Sequence, residues 1–139
     1  MDAADRRFGL GCEFFDRLSY RHVEVDGDQA VELDVGDELR GPAGSLHGGL
    51  VAMLVDVAAA SCLTRATGRP VATSSTSIQY LAAGRVGPVR ASAVVLRTSD
   101  TLGVAEVRVV DVGRDSRLMA AAHVTCRFLP GEAFIRQTF

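Results

Sequence analysis

The chain contains no lysine, and all 15 of its basic residues are arginine. A GC-rich genome produces that bias as readily as a binding requirement does, so it carries no functional weight. A block of like charge is also missing. The 17 acidic and 15 basic residues are scattered, the formal net charge is −2, and no basic run offers the counterion release that drives nucleic-acid binding. Nucleic acid is therefore not an expected partner. Cysteine is scarce: Cys12, Cys62 and Cys126 are widely spaced and odd in number, which excludes a disulfide framework or a CxxC metal site and fits a reducing cytoplasm. No stretch of 18 apolar residues runs without charge, and the opening MDAADRRFGLGCEFFDRL builds no signal-peptide core. No membrane association is expected, and the expected location is the cytoplasm. The three histidines, His22, His47 and His123, show no metal-ligand spacing, and no metal or other cofactor is expected.

What is present fits one globular unit. At 139 residues, 47% hydrophobic and 23% charged, residues 1–139 are expected to fold as a single domain. Residues 3–18 place Phe8, Phe14, Phe15 and Leu18 at roughly helical spacing, interrupted by Gly9 and Gly11, and predict a short amphipathic helix. YRHVEVDGDQAVELDV alternates about a central Asp-Gly, the pattern of a hairpin. After the loop GPAGS, the stretch LHGGLVAMLVDVAAASCLTRATG predicts the one long helix, closed by Gly68 and Pro70. From Val71 the period becomes two, through VATSSTSIQYL, PVRASAVVLRTS, TLGVAEVRVVDVG and RLMAAAHVTCRFL. Those are four antiparallel strands. The expected class is α+β, with the long helix covering the apolar face of the sheet.

The long helix also carries the chemistry. Gly48 and Gly49 follow His47 at its start, leaving the first N–H groups unobstructed at the positive end of the dipole. Glycine is costly inside a helix, so the pair suggests close approach by a ligand or another backbone; a plain glycine-rich turn is the competing explanation. Asp56 interrupts the apolar LVAMLVDVAAA, where a carboxylate must be paired, hydrogen-bonded, functional or exposed. Its helical neighbours Gly49, Ala52, Ala59 and Ala60 are small, which invites a second helix or a slim ligand. His47 and Asp56 lie nine residues apart, two and a half helical turns and roughly 13 Å along the axis, on opposite faces. One chain does not bring both to one atom. A two-fold dimer does, by laying a second copy of the helix alongside the first.

GPAGSLHGGLVAMLVDVAAA resembles the motif of the PaaI-like branch of the hotdog thioesterases, approximately Asn-x-x-Gly-x-x-His-Gly-Gly with an Asp nine residues after the His. SIQYLAAGRVG resembles the strand and turn that follow in that family, and the likeness extends from about residue 20 to 129. The resemblance implies a hotdog fold and hydrolysis of an acyl-CoA, in a homodimer or a tetramer of paired dimers with the site at the subunit interface. It implies Asp56 as nucleophile or general base, the Gly48 amide as oxyanion donor, and His47 holding the thioester carbonyl. Thr73 is the implied water-orienting hydroxyl, with Ser74 and Ser75 as rivals, and Gly49 an implied substrate contact. The chain departs from the pattern at Gly41, where the family has Asn, and at Ala82 and Ala83, where relatives carry Arg and Pro. The contact to the CoA phosphates is then either absent or supplied by Arg85, the residue favoured for it.

Other residues receive plainer readings. His123 shares a strand face with Thr125 and Arg127 and is expected in a structural or surface role. Cys62 lies in an apolar helix without a neighbouring base, so core packing is expected rather than nucleophilic attack. Ser45 lacks the Gly-x-Ser-x-Gly spacing and is expected in a loop or capping role. A hydratase of the same fold resembles a pattern with Asp and His a few residues apart, which this sequence lacks. A non-catalytic hotdog protein that binds an acyl thioester is the main alternative to the hydrolase.

Overall fold

The structure, a computed structural model, describes Phe14, Arg17 and residues 18–130. The helix expected over residues 3–18 falls almost entirely outside the described residues, as does Cys12. Leu18 is buried in the core.

The expected hairpin forms from β1 (Tyr20–Val25) and β2 (Asp28–Leu33). Its turn residues Asp26 and Gly27 both have positive φ, 51° and 85°, the backbone that matches the right-handed twist of paired strands. A single 3-10 turn (Asp37–Leu39) leads to the long helix α1 (Gly48–Thr67). Four strands follow: β3 (Val71–Tyr80), β4 (Val89–Thr98), β5 (Leu102–Asp111) and β6 (Arg117–Phe128).

All six strands join one antiparallel sheet in the order β1-β2-β4-β5-β6-β3. β3 therefore crosses from the end of α1 to the far edge. Strands β5 and β6 alternate buried and exposed residues, so Ala105, Val107, Val109, Ala120, Ala122, Val124 and Cys126 form an apolar inner face. Against it α1 buries Val51, Leu54, Val55, Ala58, Ala59 and Leu63, a stripe at helical spacing. The helix is long and apolar enough to cross a membrane, but this stripe is occupied by the sheet. Gly68 ends it in the left-handed conformation, φ 67°, with its N–H donating to Thr64 O at 2.8 Å.

The small residues around Asp56 are divided between two environments. Ala59 is fully buried against the sheet, while Ala52 and Ala60 are half-buried. The stripe thus begins at the sheet and ends at the open side of the helix.

Candidate active site

His47 caps α1. Its backbone leaves the helical region at φ −58° and ψ 133°, and its Nδ1 accepts the Gly49 N–H at 3.0 Å. Of the two placements expected for Ser45, the loop is the one observed, with the cap falling to His47; the Ser45 carbonyl accepts the Gly41 N–H at 2.8 Å. The cap has two chemical consequences. The Gly49 amide is already used, whereas the Gly48 N–H has no acceptor among the described residues. In the neutral imidazole an accepting Nδ1 leaves the proton on Nε2, which is then the nitrogen able to donate to a ligand. The first turn of α1 therefore offers one free amide and the dipole's positive end.

Asp56 sits half-buried two and a half turns along the same helix. Thr73 Oγ1 donates to its Oδ1 at 2.5 Å. The hydroxyl reaches the helix because Thr73 pairs with Cys126, whose side chain is fully buried on the inner face. At Ser74 the β3–β6 register slips, and Ser75 pairs with Thr125 instead. Such a bulge re-aims the residues around it. Ser75 consequently falls on the outer face of the sheet, away from Asp56, which removes it as a rival to Thr73. Ser74 is the extra residue of the bulge. The sequence reading missed Thr76, which pairs with buried Val124 and returns to the helix-facing side as a second exposed hydroxyl.

Tyr80 was also missed as part of the site. It ends β3 on the helix-facing side, paired with buried Ala120, and its hydroxyl donates to Gly48 O at 2.8 Å. A Cβ on Gly48 would lie 3.6 Å from the Tyr80 ring, so the ring walls the first turn without demanding glycine there.

Gly41 lies beside the cap. A Cβ built on it would meet His47 Cδ2 at 3.6 Å, an ordinary contact, so a side chain at this position would lie along the imidazole. A cavity of about 380 Å³ opens next to the same cap, lined by Leu39, Leu50, Met53 and Phe14, with His47 and Gly49 at one end and Glu38 and Arg40 among its walls. Gly49 thus lines the cavity although its amide is taken by the His47 ring. No sequence pattern announced this cavity, because Leu39 comes from the 3-10 turn and the other wall from α1.

Arg85 stands in the loop between β3 and β4, exposed, and its guanidinium has no partner among the described residues. That loop abuts the segment leading to the helix: Leu46 N–H donates to Gly84 O at 2.9 Å, and Arg40 donates to Arg85 O at 3.0 Å. Within the chain, then, Gly41, His47, Gly48, Gly49 and the Arg85 loop gather at the start of α1, while Asp56 and Thr73 form a second pair further along. His47 and Asp56 are not brought together.

The remaining candidates have ordinary surroundings. Burial pushes the Cys62 thiol up from its usual value, and its Sγ lies 3.5 Å from Ala93 O, which suits an inert thiol. His123 is exposed with Nε2 3.8 Å from Glu106 Oε2.

Comparison with known proteins identifies the family and the fold. Residues 43–118, more than half of the chain, match the model of the thioesterase superfamily. A Halobacterium salinarum protein provisionally named an esterase is 36% identical over 104 aligned positions, spanning 67% of this chain and 68% of that protein. The PaaI protein of the E. coli phenylacetic acid degradation operon superposes with a TM-score of 0.74 at 20% identity, over 94% of this chain and 98% of that one. A Bacillus halodurans protein crystallised with CoA gives a TM-score of 0.72 at 24% identity, over 81% and 75%. The matched residues and the shared helix-on-sheet architecture converge: this chain belongs to the thioesterase superfamily and has the hotdog fold.

Proposed function

We propose that the protein hydrolyses an acyl-CoA to the free acid and CoA. The observation that carries this reading is a carboxylate held by a hydroxyl, Asp56 and Thr73 at 2.5 Å, on a helix whose Gly48 N–H is unused. Asp56 takes a proton from water and the hydroxide adds to the thioester carbonyl carbon. Negative charge on the carbonyl oxygen is met by the Gly48 N–H and the helix dipole, with His47 Nε2–H as second donor. Collapse breaks the C–S bond, and the CoA thiolate leaves and recovers the proton.

Because Asp56 and His47 lie apart in one chain, the reading requires a homodimer that places Asp56 of one subunit at the helix start of the other. β3 supports this. It is one of the two edge strands of the sheet, largely exposed, and the one that carries Thr73; an open edge is a ready surface for pairing. Two dimers would make the tetramer. The acyl group fits the cavity of about 380 Å³ walled by Leu39, Leu50 and Met53, roughly a dozen water volumes, which favours aryl or medium-length chains. Arg85 is the cation for the nucleotide phosphates, and the CoA-bound neighbour is consistent with that ligand. Purified protein should release thiol from aryl- and medium-chain acyl-CoAs in preference to acetyl- or palmitoyl-CoA. Absence of turnover across the panel would reject the hydrolase.

One observation favours a second reading. Gly41 leaves the His47 ring without the family's Asn beside it, so a protein that binds acyl thioesters without cleaving them is the alternative. It predicts thioester binding with no thiol release.

A further inference from the structure

Asp111 ends β5, is wholly buried, and has no part in the chemistry described above. Its carboxylate accepts three consecutive backbone amides: Arg85 N–H at 2.8 Å and Val86 N–H at 3.1 Å on Oδ2, and Gly87 N–H at 2.7 Å on Oδ1. Burial alone would push this carboxyl up, but the three amides outweigh it and hold it below the usual carboxylate range. The charged form is therefore the one the fold uses.

Around this knot the loop is tied on every side. Leu81 and Ala82 N–H both donate to Met119 O, at 2.7 and 3.1 Å, and Val112 N–H donates to Pro88 O at 3.0 Å. Gly84 lies so close to Met119 that a Cβ would come within 2.5 Å of its Cε, and a Cβ on Gly113 would come within 2.4 Å of Gly87 O. The loop's outward carbonyls face the helix approach, Gly84 O accepting Leu46 N–H and Arg85 O accepting the Arg40 guanidinium. A long cationic side chain on a mobile loop loses much of its binding free energy to ordering. Here the backbone of Arg85 is fixed before any ligand arrives, while its guanidinium has no partner among the described residues.

We infer that Asp111 is a positioning residue: its carboxylate fixes the Gly84–Gly87 backbone so that Arg85 presents its guanidinium to the phosphates of the CoA nucleotide. This rests on the acyl-CoA reading above. Guanidinium binds phosphate through paired N–H bonds whose strength depends on orientation, so the effect of Asp111 is specific to the phosphate-bearing half of the substrate.

The test compares the CoA thioester with the matching N-acetylcysteamine thioester, which has no phosphate, in wild type, Asp111→Asn, Arg85→Ala and the double variant. The readout is the ratio of kcat/KM for the two thioesters. Asp111→Asn should lower that preference for CoA about tenfold, the effect of weakening one charge-assisted contact, through KM rather than kcat. The double variant should be no worse than Arg85→Ala. Equal loss on both thioesters, or multiplicative losses in the double variant, would show a merely structural role and overturn the inference. Calorimetric binding of 3′,5′-ADP to the same proteins separates the two readings: it should weaken about tenfold in Asp111→Asn even if no thioester is cleaved, and no binding to wild type would also overturn it. Should Asp111→Asn fail to fold, hydrogen exchange on wild type decides. Slow exchange of the Arg85, Val86 and Gly87 amides with an Arg85 response to 3′,5′-ADP supports the proposal, and fast exchange or no response refutes it.

Discussion

Replacing Thr73 with valine keeps the shape of the side chain and deletes one hydroxyl. That hydroxyl donates to Asp56 Oδ1 at 2.5 Å, and hydrogen bonds to charged groups contribute about 1.5–3 kcal/mol. Thr73 is exposed in the single chain, so the lower end applies, and about 1.5 kcal/mol corresponds to roughly a tenfold change in rate. In steady-state thiol-release assays on the best acyl-CoA, kcat of Thr73→Val should therefore fall about tenfold. Thr73→Ser keeps a donor at the same position and should remain within about threefold of wild type. Besides Asp56, among the described residues the hydroxyl touches the core only through a weak 3.9 Å contact to buried Cys126 Sγ, so unfolding free energy should move by no more than about 1 kcal/mol. The reasoning fails if Thr73→Val keeps kcat within about twofold of wild type, because the bond would then be incidental to the reaction.

Three further outcomes follow from the packing and charge. Gly41→Asn should be accommodated, since its Cβ would meet His47 at no less than 3.6 Å, and should raise kcat several-fold by adding a donor beside the cap; a drop in kcat would show that the family's Asn has no place here. Leu54→Ala empties a fully buried position between α1 and the sheet and should cost about 3 kcal/mol in denaturant unfolding. Asp111 has a folded-state pKa below its unfolded one, so the stability it confers is present above the usual aspartate pKa of about 4 and is lost as pH falls through the lower folded value. Asp111→Asn should flatten that acid limb of the stability curve, as followed by thermal melts below pH 4.

Much of the fold was legible because its signals are local. Asp26-Gly27 specifies a tight turn, Gly68 ends the helix, and alternation marks β5 and β6 from Ala120 onward. The strand order is set elsewhere. That β3 runs to the far edge beside β6, rather than beside the strand that follows it, depends on which faces pack around α1. The bulge at Ser74 was equally hidden, and with it the separation of Ser75 from Thr73, because TSSTS is uniformly small and polar and has no alternation for a bulge to break.

At the site, the His-Gly-Gly run and Asp56 stood out because glycine and a carboxylate are both expensive where they occur. What those residues do locally did not stand out. The His47 ring turns back onto Gly49 and leaves Gly48 as the free amide, a choice between adjacent glycines that spacing cannot make. Asp111 gave no signal, since a carboxylate at the end of a strand reads as surface until three amides from a loop 24 to 26 residues earlier are seen on it.

The central claim is that Asp56 activates the water that cleaves the thioester, and Asp56→Ala tests it most directly. Thiol release from the preferred acyl-CoA should fall at least about a hundredfold, with the melting transition and the oligomer size of the wild type retained. Turnover near the wild-type rate in a folded variant of unchanged size would contradict the account.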